Sequence, residues 1–273
     1  MRPSCPHPRE PGWYRRSQGA AVLAGPEWRP QAGTMTAATT ALVTGANKGL
    51  GRETVRRFAT MGWRVFLAAR DVGRGTVAAR ELAVEGLEVE FVALDVTSDA
   101  SVGAAVDVVR GRVGRLDVLV NNAAIGGPRA HPAETSVESL REVFETNVFG
   151  PVRVTGAFLP LLRLAENPRI VMVSSGMGSV AVLTDPRWDG VLPPALGYPA
   201  TKSALNMLTV QYARGLDGIR VNAVDPGYTA TDLNGHSGTQ TVTEGTDAIV
   251  RLAQIGPDGP TGGFFDRQGA VPW

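Results

Sequence analysis

A tyrosine and a lysine four residues apart, Tyr198 and Lys202, form a pair that could move protons to and from a substrate. Pro199 lies between them, and because proline is tolerated only in the first turn of a helix, Tyr198 should stand at a helix start. The two side chains then share one helical face. A free tyrosine has a pKa of about 10, and a nearby ammonium group lowers that pKa. Tyr198 could therefore protonate a carbonyl oxygen that is being reduced, or deprotonate an alcohol.

A glycine turn at residues 44–51, with the sequence TGANKGLG, could bind phosphate groups. Glycine permits positive φ and lets a ligand approach the backbone, and the free N–H groups at a helix start attract phosphate. Such a turn is weak evidence by itself, but an apolar run precedes it and a helical pattern follows it, which favours dinucleotide binding. The candidate residues in this turn are Gly45, Asn47, Lys48, Gly49, Leu50 and Gly51.

Two adjacent residues after the second apolar run point to different dinucleotides. An acidic residue about 20 positions after the glycines would bind the ribose 2′-hydroxyl of NAD, and Asp71 is at that distance. An arginine at the strand end would instead hold the 2′-phosphate of NADP, and Arg70 is the first residue after the run. Lys48 could add a second positive charge to that phosphate. Both cations could also be ordinary solvated surface residues. We expect NADPH as the cofactor, with NADH less favoured.

The elements that would position these groups alternate between strand and helix. The apolar runs mostly lack alternation, as in strands covered on both faces; they are 41–44, 65–69, 89–94, 116–120, 170–173, 219–224 and 263–265. Helical patterns fall near 50–61, 74–85, 99–112, 136–165, 199–215 and 243–255. This alternation predicts a single-domain α/β fold with a doubly wound sheet of seven parallel strands. Ligands of such sheets bind beyond the carboxyl ends of the strands.

Residues 1–34 differ in composition from the rest of the chain. They contain six prolines, and five arginines against two glutamates, with no helical or strand period. We expect this extension to be disordered. Its apolar stretch at 20–24 is too short for a secretory signal. We also expect translation to start at Met35, so that the catalytic, dinucleotide-binding domain spans residues 35–273.

Composition argues against several other classes of protein. The 27 basic and 26 acidic residues nearly balance, unlike the basic excess of a nucleic-acid binder. The one cysteine, Cys5, rules out an intrachain disulfide, and the three histidines are too scattered for a metal site. No apolar run reaches the roughly 18 residues that cross a bilayer. We expect a cytoplasmic protein with no metal, no membrane and no nucleic-acid partner.

Further motifs follow the strand ends in a fixed order. Residues 145–150 read ETNVFG, residues 173–176 read VSSG, and residues 225–231 read DPGYTAT. Together with the glycine turn and the Tyr–x3–Lys pair, this series resembles the short-chain dehydrogenases/reductases over about residues 40–270, which implies a Rossmann-type fold. The glycine turn and the cations beside it are most similar to NADPH-dependent, carbonyl-reductase-like members.

The resemblance implies a catalytic set of four residues. Ser175 would hydrogen-bond the substrate oxygen, and Tyr198 would be the general acid and base. Lys202 would tune Tyr198 and bind the ribose hydroxyls, while Asn147 would hold a water behind the lysine.

The resemblance also implies contacts along the cofactor. Asp95 would hydrogen-bond the adenine, although it could instead be a helix cap, and the NNAA segment at 121–124 would lie against the adenosine half. Thr229, with Thr231 as the second choice, would contact the nicotinamide carboxamide. Beyond the glycine turn the cofactor-binding candidates are Arg70, Asp95, Val96, Asn122, Ala123, Ala124, Tyr198, Lys202, Pro226, Gly227, Thr229 and Thr231.

The implied reaction is reduction of a small ketone or aldehyde by NADPH, or the reverse. A non-catalytic NADP sensor and a sugar-nucleotide epimerase or dehydratase are the alternatives. The segments 176–197 and 228–245 would form the substrate pocket. In them we expect Trp188 to pack and His236 to be an exposed loop histidine without a partner. A monomer and a homo-oligomer both stay open.

Overall fold

An eight-stranded sheet forms the centre of the computed structural model, which describes residues 38–188 and 194–273. The strands are β1 Thr40–Thr44, β2 Arg64–Ala69, β3 Val89–Ala93, β4 Val118–Asn121, β5 Arg169–Val173, β6 Arg220–Val224, β7 Phe264–Asp266 and β8 Gly269–Ala270. Their order is β3-β2-β1-β4-β5-β6-β7-β8. All neighbours pair in parallel except β7 and β8. The expected extension of residues 1–34, with Met35, lies outside the described residues, as do Pro193 and the side chain of Trp188.

The doubly wound α/β fold is confirmed, but the strand count of seven is wrong. The additional strand, β8, has only two residues and pairs antiparallel with β7 through Phe265 and Ala270. Because so short a strand shows no apolar run, the hydrophobic pattern could not predict it.

Nine α-helices of the described chain surround the sheet. They are α1 Gly49–Thr60, α2 Val72–Val84, α3 Asp99–Val113, α4 Val137–Phe144, α5 Gly150–Leu162, α6 Val180–Leu183, α7 Gly197–Gly215, α8 Val242–Gly245 and α9 Asp247–Ala253. The helix expected near 136–165 is present as α4 and α5, which a π-helical turn at Glu145–Phe149 joins without a break. Likewise, the helix expected over 243–255 is divided into α8 and α9. No helix among the described residues is long and apolar enough to cross a membrane.

The apolar core lies on both faces of the sheet. Leu42 and Val43 of β1 are fully buried and belong to separate clusters, because successive strand residues point to opposite faces. Phe58 of α1 packs in one cluster and Phe158 of α5 in the other. Burial of both faces explains why the strand sequences are apolar without alternation. It also holds the carboxyl ends of β1, β4, β5 and β6 at one rigid edge.

Candidate active site

Tyr198 and Ser175 meet at the carboxyl edge of the sheet. Helix α7 begins at Gly197, so Tyr198 lies in its first turn as the proline predicts. Ser175 follows β5, and its hydroxyl lies close enough to the half-buried Tyr198 side chain to lower the pKa of the tyrosine. The Ser175 Oγ also accepts the Met177 N–H at 3.2 Å, which fixes its rotamer. Two hydroxyl groups are therefore held side by side, ready to bind one oxygen atom.

Lys202 lies behind this pair with its ammonium group buried. Its side chain is 2% exposed, and Nζ donates to the Val173 carbonyl at 2.7 Å. Nζ lies 5.4 Å from the centre of the Tyr198 ring. Burial lowers the pKa of Lys202 to about 8. The amine therefore stays mostly protonated at neutral pH, with further N–H groups for other acceptors.

The expectation that Lys202 lowers the pKa of Tyr198 is wrong for the protein chain by itself. Burial raises that pKa, the charge of Asp225 raises it further, and only the hydrogen bond with Ser175 lowers it. The reason is geometric, since Nζ is held by the Val173 carbonyl beside the ring. Tyr198 is consequently a protonated phenol at neutral pH, which is the form a proton donor needs.

Asn147 is a buried connector in the π-helical turn. Its Oδ1 accepts the Ile125 N–H and its Nδ2 donates to the Ile125 carbonyl, both at 2.9 Å. Nδ2 also donates to the Thr201 hydroxyl at 3.1 Å, beside Lys202 in α7. The turn thus aims Asn147 at two other elements, in keeping with the placement of π-helical turns at functional sites. Its expected hold on a water molecule stays a prediction.

The glycine turn is shaped by close packing against β4 and its following residues. Gly45 has φ +63°, and a Cβ on it would lie 2.8 Å from the Ala123 Cα. A Cβ on Gly51 would lie 2.6 Å from the Asn122 Nδ2, so neither position accepts a larger residue. Helix α1 then begins at Gly49, and among the described residues no side chain caps its first N–H groups. These groups and the helix dipole suit a phosphate.

Asn122 supports the glycine turn from the end of β4. Its Nδ2 donates to the carbonyl oxygens of Thr44 and Gly45 at 2.8 and 3.2 Å. The Thr44 hydroxyl in turn accepts the N–H groups of Asn122 and Ala123, both at 3.0 Å. Ala124 follows, half-buried. The sequence segment expected to face the adenosine therefore holds the two strand ends together.

Arg70 and Asp71 are distinguished by their surroundings. The Asp71 carboxylate caps α2 by accepting the Arg74 N–H at 2.9 Å. Arg70 is exposed at the end of β2 and forms no ion pair within the described chain. Because Asp71 is used in a helix cap, the geometry favours Arg70 as the ribose-side residue.

Asp95 follows β3, and its carboxylate interacts electrostatically with Arg70, which follows β2. Its Oδ1 accepts the N–H and the hydroxyl of Thr97 at 2.9 and 2.8 Å. Burial raises the pKa of Asp95, but the Thr97 hydrogen bonds and the charge of Arg70 outweigh it, so the net shift is downward. The alternative role as the α3 cap belongs instead to Ser98. Val96 beside it is buried.

The segment after β6 reaches back to the glycine turn. Lys48 Nζ forms an ion pair with Asp232 Oδ2 at 2.5 Å, and His236 Nε2 lies 2.7 Å from the other Asp232 oxygen. His236 is exposed, as expected, but the expectation that it has no partner is wrong. Lys48, expected at the phosphate, is engaged with a carboxylate and would have to exchange partners to reach a cofactor.

The two threonines of this segment differ in position. Thr229 is 4% exposed, and its hydroxyl donates to the Pro226 carbonyl at 3.1 Å. Thr231 instead faces the glycine turn, since a Cβ on Gly49 would lie 3.6 Å from the Thr231 Cγ2. Gly227, with φ +73°, lets the chain turn just before both threonines. Thr231 is therefore the more exposed of the two threonines and the one next to the glycine turn.

Comparison with known proteins agrees with this geometry. Residues 39–241 match the model of the family described as short chain dehydrogenase. The chain is 34% identical over 288 residues to short-chain dehydrogenase/reductase 1 of Saponaria officinalis, covering 85% of this chain and 95% of that relative. It is 31% identical over 299 residues to (+)-neomenthol dehydrogenase of Capsicum annuum, covering 84% and 95%. The crystal structure of NADPH-bound carbonyl reductase from chicken fatty liver aligns with a TM-score of 0.77 at 30% identity, covering 86% and 99%.

The chain belongs to the short-chain dehydrogenase/reductase family. The predicted family, the Rossmann-type fold and the enzyme class are confirmed. As a member of this family it is an oxidoreductase.

Proposed function

We propose that this protein reduces a small ketone or aldehyde with NADPH, or catalyses the reverse reaction, with Tyr198 as its general acid and base. The observation that carries the proposal is that Ser175 and Tyr198 lie together at the carboxyl edge of the sheet, with the buried Lys202 Nζ 5.4 Å from the centre of the Tyr198 ring. A carbonyl oxygen can accept hydrogen bonds from both hydroxyl groups at once. The relatives named above carry dehydrogenase and reductase names, in keeping with this chemistry.

The residues at the carboxyl edge of the sheet are of the types that a phosphorylated dinucleotide needs. The glycine turn offers backbone N–H groups at a helix start and no room for side chains, as a pyrophosphate requires. Arg70 would hold the 2′-phosphate, with Asp95 and Val96 beside the adenine. Thr231 takes precedence over Thr229 at the carboxamide. NADPH, when bound, supplies the hydride.

The residues of the chain supply the proton and the placement of the substrate. Ser175 orients the substrate oxygen, and Tyr198 donates its proton to that oxygen as negative charge develops there. The phenolate left on Tyr198 is then stabilised by the Lys202 ammonium group. Asn147 positions the start of α7 through Thr201 and so sets where these groups meet.

A spectrophotometric assay tests the proposal directly. Oxidation of NADPH and of NADH would be followed against ketones, aldehydes and quinones, with wild-type protein and Tyr198→Phe. We expect turnover that prefers NADPH, and loss of most turnover in the variant with NADPH binding nearly intact. Tight NADPH binding without turnover of any member would instead support the non-catalytic sensor.

Several finer points belong to the same proposal. We infer that the catalytic domain spans residues 35–273 and that the protein works in the cytoplasm. Its substrates are small molecules, with neither nucleic acid nor membrane as a partner. Size-exclusion chromatography with light scattering would decide between the monomer and the homo-oligomer.

A further inference from the structure

The side chain of Arg153 in α5 joins three elements near the carboxyl edge of the sheet. Its Nη1 donates to the Val96 carbonyl at 2.7 Å, in the segment after β3. Its Nε donates to Asp99 Oδ1 at 2.5 Å, at the first residue of α3, and its Nη2 donates to Glu145 Oε1 at 2.9 Å, in the π-helical turn. The side chain is 21% exposed. All three guanidinium nitrogens therefore bind different elements, as the rigid planar fork of arginine allows.

The same helix packs directly on the Val96 side chain. A Cβ built on Gly150 would lie 2.9 Å from Val96 Cγ2, so the start of α5 is in close contact with that valine. Gly150 and Arg153 are three residues apart and share one helical face. Helix α5 thus holds Val96 twice, by packing on its side chain and by a charge-assisted hydrogen bond to its backbone. The position of Val96 therefore depends on α5 as well as on β3.

We propose that Arg153 is a positioning residue for the adenine half of the cofactor, which acts through Val96 and strengthens the binding of NADPH and NADH by the same factor. This inference rests on the proposed function, which places Asp95 and Val96 beside the adenine. Without the guanidinium group, the Val96 carbonyl loses its donor, and the Asp99 and Glu145 carboxylates lose their shared cation. The segment that would face the adenine then loses its hydrogen bond to α5. Because the adenine is common to both dinucleotides, the loss does not depend on the 2′-phosphate.

The substitution Arg153→Met keeps most of the apolar stem and removes the three donors. Binding of NADPH and NADH would be titrated by cofactor fluorescence, and binding of ADP, which contains the adenine but no nicotinamide, by displacement of NADPH. We expect all three Kd values to rise together, by about 3-fold to 10-fold. The matched control is Arg110→Met, which removes an arginine of α3 that pairs with Asp107 at 2.8 Å on the exposed surface. This control should leave all three Kd values unchanged.

The pattern of the three Kd values separates this role from others. An arginine that only stabilises the fold would lower the free energy of unfolding in urea and leave the Kd values of the folded protein unchanged, and that result would overturn the inference. Weaker binding of NADPH alone would also overturn it, because the guanidinium group would then act on the 2′-phosphate. Should Arg153→Met not fold, Arg153→Lys replaces it, since an ammonium group cannot reproduce the planar fork on three acceptors. Wild-type Kd values in the lysine variant would refute the inference.

The variant Asp95→Ala distinguishes failure of this inference from failure of the proposed function. The Asp95 carboxylate would hydrogen-bond the adenine itself, so its loss should weaken the binding of NADPH and NADH alike. If Asp95→Ala weakens both and Arg153→Met weakens neither, the proposed cofactor placement stands and only the role of Arg153 is wrong. If Asp95→Ala changes no Kd, the adenine lies elsewhere, and the proposed placement and the inference are both wrong.

Discussion

Replacing Arg70 by alanine should separate the two nicotinamide cofactors. Arg70 is exposed and forms no ion pair within the described chain, so its guanidinium group is available to a 2′-phosphate without breaking another contact. A charge-assisted hydrogen bond contributes about 1.5–3 kcal/mol. Solvent screening at an exposed site reduces this to about 1–2 kcal/mol. Since 1.4 kcal/mol is a factor of ten, the Kd for NADPH should rise by roughly 5-fold to 30-fold.

The assay is titration of the purified protein with NADPH and with NADH, followed by cofactor fluorescence. The Kd for NADH should hardly change, because NADH lacks the 2′-phosphate. Raising the ionic strength should weaken NADPH binding to wild type more than to Arg70→Ala, since salt screens the lost charge. Arg80→Ala, which removes an exposed arginine from α2, serves as the control. Equal weakening of both cofactors by Arg70→Ala would refute the assignment.

Three further predictions concern the proton donor, its lysine and the ion pair of the glycine turn. Tyr198→Phe should lower kcat by about 10²–10⁴ with little change in the Kd for NADPH, and parallel loss of both would contradict the role of general acid. The pKa of native Lys202 is lowered to about 8, so above that pH the unfolded chain binds more protons than the native chain. The free energy of unfolding should therefore rise between pH 8 and pH 10.5 more steeply in wild type than in Lys202→Met. Equal slopes of the two proteins in urea denaturation would argue against the buried ammonium group. Asp232→Asn frees Lys48 and should tighten NADPH binding a few-fold while leaving NADH unchanged, and weaker NADPH binding would show that the ion pair organises the cleft.

The parts of the site that follow from local rules could be predicted from the sequence. Pro199 fixes the start of α7 because it lacks an N–H, so the position of Tyr198 needs no tertiary information. Glycines at 45 and 51 are required wherever a turn packs directly on a neighbouring strand. Unalternated apolar runs identify strands covered on both faces, and parallel strands bring their carboxyl ends together. These rules suffice to place the serine and the tyrosine at one edge.

The electrostatics of the site could not be predicted in the same way. The direction of the Lys202 amine depends on the Val173 carbonyl, 29 positions earlier in the chain. The pKa of Tyr198 depends on burial and on Asp225, which belongs to another strand end. The prediction that a nearby ammonium group lowers the pKa of Tyr198 used only the local sequence. It gave the wrong direction because the desolvation of Tyr198 depends on the assembled fold. The apolar pattern also does not predict the π-helical turn at Asn147, because one wider turn inside a helix changes that pattern only slightly.

The two cations next to the cofactor cleft therefore have different roles. Arg70 is unpaired within the described chain, so binding a phosphate costs it only solvent and rotamer freedom. Lys48 is bound to Asp232, 184 residues away in the chain, and must give up that carboxylate before it can contact a phosphate. The gain from Lys48 is a difference between two ion pairs and should be smaller than the gain from Arg70. When Lys48 leaves Asp232 for a phosphate, the segment next to Thr231 loses this ion pair. Cofactor binding through Lys48 is therefore coupled to the position of this segment, which would border the substrate.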